Sequence, residues 1–107
     1  MMGLTMKGGD MTKTEHLLIK LAEECCEVGK VVSKSLIFGL DEYHPNDPNE
    51  ETNRVKLKRE INDLICICVM LNVSGVDTAI DGEYIKKHMA KVYKYMDYSR
   101  DKGILEE

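Results

Sequence analysis

Apolar residues recur at steps of three and four along most of this 107-residue chain, the period at which side chains share one face of an α-helix. Thr12 and Glu15 form a capping-box pattern before the first such stretch, and Gly39 supplies a stop signal after it. The sequence therefore predicts a long first helix from this box to about Phe38. Its expected buried face consists of Leu17, Leu18, Leu21, Cys25, Val28, Val32 and Leu36.

The rest of the chain predicts two further helices. Both prolines lie within residues 41–49, where turn-forming residues predict a loop. A second long helix is expected from about Thr52 to the stop signal at 72–75. A third is expected at 83–99, after a short helical turn at 77–80. The expected buried faces are Val55, Leu57, Ile61, Leu64, Ile65, Cys68 and Leu71 in the second helix, and Ile85, Met89, Val92, Tyr93 and Met96 in the third.

This pattern predicts an all-α fold in a single domain at residues 12–100. A glycine-containing flexible tail is expected at 1–11 and a polar tail at 101–107. A chain this short buries only a modest core when it folds alone. We therefore expect a helical bundle that self-association completes.

Composition and charge exclude several classes of protein. With 43% hydrophobic and 32% charged residues the chain is globular rather than disordered. A net charge of −4 gives no bulk attraction to nucleic acid polymers. The longest apolar run, 64–71, is too short to span a membrane, and residues 1–12 lack the apolar region of a signal peptide. No membrane partner is expected, and the expected location is the cytoplasm of a cell or of an infected host.

The cysteines occur as two close pairs inside helix-like sequence: Cys25, Cys26, Cys66 and Cys68. A secreted disulfide framework would spread its cysteines through loops, so reduced core thiols of a cytosolic protein are expected. Zinc binding is the alternative. The spacing disfavours it, because neither pair has the gap that zinc-binding cysteines use.

Acidic residues lie at helical spacing on the first two predicted helices. Glu24 and Glu27 are three residues apart, as are Glu60 and Asp63, so each pair projects from one helix face. Glu23, four before Glu27, borders the first pair. Both pairs flank the apolar stripes, so packing these helices together would bring four carboxylates close to one another.

Two interpretations of this cluster remain open. Clustered carboxylates repel and are costly to desolvate, and hard divalent cations such as Mg²⁺ or Mn²⁺ remove that cost by taking oxygen ligands. In the alternative, the acids form a solvated helix face. Their partners would then be Lys20, Lys30, Lys56 and Lys58.

Glu-Glu-x-x-Glu at 23–27, followed by Glu-x-x-Asp at 60–63, resembles the signature of the MazG-like, all-α nucleoside triphosphate pyrophosphohydrolases. The resemblance extends over about residues 15–99 and is strongest to the small single-domain versions common in phages. It implies a four-helix core built across a homodimer or homotetramer. The two acid pairs are separated by residues 28–59, which is longer than in many family members. The surplus falls in the 41–51 loop and leaves the shape of the substrate pocket in doubt.

The resemblance also implies a reaction and a set of site residues. A nucleoside triphosphate, ribose or deoxyribose, would be cut between its α and β phosphates, giving the monophosphate and pyrophosphate. Mg²⁺ is the implied cofactor, with Mn²⁺ as a possible substitute. The implied metal ligands are Glu24, Glu27, Glu60 and Asp63, and Glu23 would hold a further ion or orient the attacking water.

Other residues are candidates for substrate binding. Lys34, Lys91 and Lys94 offer positive charge to phosphates, although exposed lysines are ordinary surface residues. Asn62 could contact a base or sugar. The rings of Phe38 and Tyr98 could stack on a base, although aromatic residues at helix ends are more often part of a core. His44 in the loop is a further possible contact.

Two rival functions stand beside the hydrolase. A helical di-metal carboxylate protein uses Glu-x-x-His, and none of the three histidines, His16, His44 and His88, lies three residues after a glutamate. A non-catalytic helical interaction module would show no dependence on Mg²⁺.

Overall fold

The structure is a computed structural model that describes residues 11–106 of the chain. Within that range it contains three helices and no strand: α1 (Lys13–Phe38), α2 (Asn53–Val73) and α3 (Gly82–Asp101). The predicted all-α class is confirmed. The expected flexible tail lies almost wholly outside the described residues.

Side-chain caps fix the starts of the helices. Thr12 Oγ1 accepts from the Glu15 backbone N–H at 3.1 Å, and the Glu15 carboxylate accepts from the Thr12 N–H at 3.0 Å, which confirms the capping box. The side chains of Thr52 and Asp81 cap α2 and α3 by accepting from the backbone N–H groups of Val55 and Tyr84, without the reciprocal bond. Because each cap satisfies N–H groups that have no partner inside the helix, short local signals determine where the helices begin.

The helical turn predicted at 77–80 is wrong, because this segment has no regular secondary structure. Thr78 Oγ1 donates to the Cys68 carbonyl, and the Thr78 N–H donates to Asn72 Oδ1 at 3.4 Å. These bonds hold the segment against the end of α2. The hydroxyl and N–H of Thr78 therefore bond to α2 and not within a helix formed by residues 77–80.

The ends of α2 and α3 use the same glycine turn. Gly75 (φ 104°) and Gly103 (φ 75°) adopt the left-handed conformation that glycine reaches without steric cost. After α3, the Ile104 N–H donates to the Ser99 carbonyl at 2.9 Å. Ile104 and Leu105 thereby fold back towards Val92 on α3, so the predicted polar tail contains an apolar pair that contacts α3.

The helices do not complete a core within one chain. Among the described helices only α1 and α2 pack together, and they run antiparallel, while α3 contacts neither. The radius of gyration is 18.5 Å, against about 13 Å for a compact chain of this length. The buried hydrophobic side chains of the described region are few, namely Leu17, Val31 and Leu71, and of these Leu71 alone is fully buried.

Most of the predicted apolar faces are therefore exposed in the single chain. Leu18 and Val32 on α1 are nearly half exposed, as are Ile85, Met89 and Val92 on α3. The predicted burial of the thiols is also wrong for the single chain, where Cys25, Cys26 and Cys66 are exposed and only Cys68 is half-buried. The physical reason is the same in each case, since no further helix covers these faces.

The loop between α1 and α2 is held by its own polar groups. The Arg54 guanidinium lies 2.9 Å from the Asp41 carboxylate, and the Arg59 guanidinium lies 2.6 Å from that of Glu51. The Asp47 carboxylate accepts from the backbone N–H groups of Asn49 and Glu51. These bonds give the predicted loop a defined shape at the joined ends of the two helices.

We expect the contribution of this loop to the stability of the fold to depend on pH through the ionisation of Asp47. The N–H groups donated by Asn49 and Glu51 hold the pKa of Asp47 below its usual value of 3.8. Its contribution is therefore present above pH 3.8 and lost as the pH falls through the lowered pKa. Asp47→Asn should destabilise the fold at pH 7, and the difference from the original chain should shrink below pH 3.8, as measured by denaturant unfolding at each pH. A difference that persists unchanged in acid would contradict this role.

Candidate metal centre

The packing of α1 against α2 brings three predicted acids together. Glu24 from α1 meets Glu60 and Asp63 from α2, and each offers a carboxylate oxygen that lies within 4.8 Å of the other two. Glu60 and Asp63 are neighbours because residues three apart share a helix face. Glu24 and Glu60 are half-buried and Asp63 is exposed. The convergence expected from the sequence is thus present for three of the four predicted ligands.

The other two predicted acids have lysine partners. Glu27 is not part of the group of three, and its Oε1 lies 3.6 Å from Lys30 Nζ. The Glu23 carboxylate accepts from Lys20 Nζ at 3.0 Å. These are exposed pairs three residues apart on one helix, which contribute little to stability. Either carboxylate can therefore exchange its lysine for another cation at small cost.

Arg59, directly before Glu60 on α2, is a neighbouring cation that the sequence reasoning did not consider. Its pKa is raised, chiefly by the hydrogen bond to Glu51, with smaller contributions from the charges of Glu60 and Asp63. On the α1 side, the pKa of Lys20 is raised chiefly by Glu23, with a smaller contribution from Glu24. The charges of the acids thus contribute to a raised pKa of one basic residue on each helix: Lys20 on α1 and Arg59 on α2. The sequence feature that could have identified Arg59 is its position directly before Glu60.

The donor set suits a hard divalent cation. Two oxygens on opposite sides of Mg²⁺ are about 4.2 Å apart, and about 4.6–5.2 Å apart for Ca²⁺. Adjacent oxygens on an octahedral Mg²⁺ are about 3 Å apart, and three oxygens cannot all be opposite one another. At least two of the three pairs, which lie within 4.8 Å of each other, must therefore come to about 3 Å when they share one Mg²⁺. The group contains carboxylates and no thiol or imidazole, which favours Mg²⁺, Mn²⁺ or Ca²⁺ over softer metals. Exposed acidic groups are also common without an ion.

The predicted substrate-binding residues do not gather around the three acids in one chain. Lys34 lines a cavity beside the α1–α2 loop. The Asn62 side chain donates to the Lys58 carbonyl of its own helix at 2.8 Å. The remaining ones lie on α3, which packs against neither helix that carries the acids: Lys91, Lys94 and Tyr98.

Two further findings concern membrane-spanning helices and similarity to known proteins. Across residues 11–106, no helix combines the length and apolar character needed to cross a membrane. No protein-family model, curated protein or solved structure matches this chain.

Proposed function

We propose that this chain is a metal-dependent nucleoside triphosphate pyrophosphohydrolase of the MazG-like kind. The observation that carries the proposal is the approach of Glu24, Glu60 and Asp63 to within 4.8 Å of one another. Three negative charges at such separations repel one another, and an oxygen-liganded cation removes that repulsion. The order of the acids along the chain, Glu-Glu-x-x-Glu and then Glu-x-x-Asp, supports this enzyme class over other metal proteins.

The residues of the chain have distinct roles in the proposed reaction. Glu24, Glu60 and Asp63 hold Mg²⁺, for which Mn²⁺ can substitute, and Glu27 lies one turn along α1 as the fourth ligand. When bound, the ion offsets the charge of the phosphate oxygens and makes a coordinated water more acidic. Glu23, at the edge of the group, orients the attacking water or holds a further ion.

The overall reaction is balanced without any redox step. A water oxygen bonds to phosphorus at the α–β linkage as the bridging P–O bond breaks. Pyrophosphate and the nucleoside monophosphate separate, and the proton of the water is released. The triphosphate, of ribose or deoxyribose, is the only co-substrate besides water.

Association of copies completes the bundle in this proposal. The α3 face formed by Ile85, Met89 and Val92 is 43–49% exposed, although it carries apolar residues at helical spacing. A homodimer or homotetramer with a four-helix core would cover this face. Lys91, Lys94 and Tyr98 lie about 130–170° around α3 from the middle of this face, so they remain candidate substrate contacts on the side of α3 that the partner does not cover.

A non-catalytic helical interaction module is the second candidate, and the uncovered face of α3 favours it. A di-metal redox protein is not favoured, because the group of three acids contains no histidine. The interaction module requires no cation, so dependence on Mg²⁺ separates the two candidates.

The test is product analysis with a substrate panel. The full chain is incubated with each ribo- and deoxynucleoside triphosphate, with and without Mg²⁺, and the products are followed by phosphorus NMR. We expect equal amounts of monophosphate and pyrophosphate, formed only with the metal. Release of orthophosphate from the triphosphate, or no product with any substrate, would refute the proposal.

A further inference from the structure

A cavity of about 400 Å³ lies where the loop joins α1 to α2. Its walls combine aromatic rings with lysines on both helices and one acid, Glu42, a mixture unlike the group of three acids. The residues that carry the argument are Phe38, Tyr43, His44, Lys34, Lys56 and Asn53.

We propose that this cavity binds the nucleoside part of the nucleotide, with the base against the aromatic rings and the α-phosphate towards Lys56. The proposal rests on the proposed function, because it assigns a specificity site to the same substrate. It places base selection at the end of the α1–α2 pair where the loop joins the two helices.

The rings provide a surface for stacking. Phe38 is 65% exposed although it ends an apolar stripe, and Tyr43 is 40% exposed. Large exposed rings beside a cavity leave apolar area in water, and a flat heterocycle covers such area without requiring a particular base. His44 adds a third ring at the same wall, and its Nδ1 accepts from the Asn46 N–H at 3.0 Å.

A buried amide gives the cavity a polar group in a fixed position. Asn53 is only 6% exposed, and its Nδ2 donates to the Gly39 carbonyl at 2.9 Å. This bond crosses from α2 to the end of α1 and fixes the orientation of the amide. A polar side chain held in this way can form directional hydrogen bonds with the edge of a base.

Helix geometry relates the cavity to the acidic group. Lys56 is four residues before Glu60 on α2, a rise of about 6 Å, and Lys34 is ten residues after Glu24 on α1, a rise of about 15 Å. The cavity therefore lies along the same helix pair, on the loop side of the acids. An extended triphosphate can place its β and γ phosphates at the acids and its base in the cavity.

The position of the cut makes this assignment testable on its own. Cleavage between the α and β phosphates leaves the α-phosphate on the nucleoside. The cavity should therefore bind a nucleoside monophosphate without a metal ion. Lys34 and Lys56, from opposite helices, supply positive charge for that phosphate, although Lys56 Nζ also lies 3.9 Å from the Asp47 carboxylate.

The experiment titrates the full, metal-free chain with each ribo- and deoxynucleoside monophosphate and follows backbone amide shifts by NMR. We expect shifts concentrated in residues 34–56 for at least one base. The Kd should rise by about tenfold or more in Phe38→Ala, as expected for loss of a stacking surface. Ile37→Ala is the matched control, since Ile37 is 71% exposed and does not line the cavity.

The outcomes separate this inference from the proposed function. Unchanged affinity in Phe38→Ala, or no binding of any monophosphate, overturns the cavity assignment even if triphosphates are hydrolysed. If a monophosphate binds at residues 34–56 and Phe38→Ala weakens this binding, the cavity assignment is supported. If no triphosphate is hydrolysed in that case, the hydrolase proposal alone fails.

Discussion

Replacing Glu60 with glutamine is expected to lower Mg²⁺-dependent release of pyrophosphate by more than about 100-fold. Loss of a partner that only orients a metal ligand costs about 10–100-fold, so loss of a ligand should cost more. Glutamine keeps the size and helix propensity of the side chain, and Glu60 is half-buried rather than enclosed. The helical content should therefore be unchanged, and initial rates measured beside circular dichroism spectra check both expectations.

Glu83→Gln is the matched control for this substitution. It removes one negative charge from an exposed position in the first turn of α3, far along the chain from the three acids. Its rate should stay within about twofold of the original, as surface substitutions usually leave the fold intact. If Glu60→Gln keeps full activity, or if both variants lose activity equally, the assignment of Glu60 is wrong.

The second large effect is expected from Val92→Glu, which places a charge in the middle of the uncovered face of α3. A carboxylate that must leave water on association costs several kcal/mol or more, enough to weaken self-association by more than about 100-fold. The original chain should sediment as a dimer or tetramer and Val92→Glu as a monomer. Turnover should also fall, because in our proposal self-association completes the helical bundle that carries the acids.

Lys87→Glu is the control for the face. It changes charge on the same helix about 140° away from Val92, and Lys87 is exposed. It should leave the assembly intact. A strictly monomeric original chain, or a Val92→Glu variant that assembles as before, would contradict the proposed oligomer.

The starts and ends of the helices could be predicted because their signals are local. Thr12 and Thr52 accept hydrogen bonds from N–H groups three residues on, and Gly39 follows the last residue of α1. These interactions involve neighbours in the sequence and need no knowledge of the rest of the fold. The prediction of a helical turn at 77–80 was wrong because Thr78 bonds to the Cys68 carbonyl, which is ten residues away in the sequence.

The acidic group was predictable for a related reason. Spacing places Glu60 and Asp63 on one face of a helix, and the apolar stripes beside the acids indicate which faces of α1 and α2 pack. The lysine partners of Glu23 and Glu27 follow from the same spacing, since the alternative interpretation of the acids as a solvated face named Lys20 and Lys30. Arg59 was missed because its link to Glu51 requires the folded shape of the loop.

The position of α3 and the burial of its residues could not be predicted from periodicity. An amphipathic pattern indicates that one face of a helix is covered, but it does not indicate whether the same chain or another molecule covers it. Within one chain the face containing Ile85, Met89 and Val92 stays exposed, and so do most of the thiols. The cavity beside Phe38 was likewise not predictable, since it depends on how the loop folds over the helix ends.

The claim that the three acids hold a divalent cation is tested most directly by titrating the chain with Mn²⁺ and measuring the free ion by electron paramagnetic resonance. The original chain should bind Mn²⁺ saturably, and Mg²⁺ should displace it. A variant combining Glu24→Gln, Glu60→Gln and Asp63→Asn should bind at least about 100-fold more weakly, since all three charged ligands of the group are lost. Equal binding by the original chain and this variant would contradict the account.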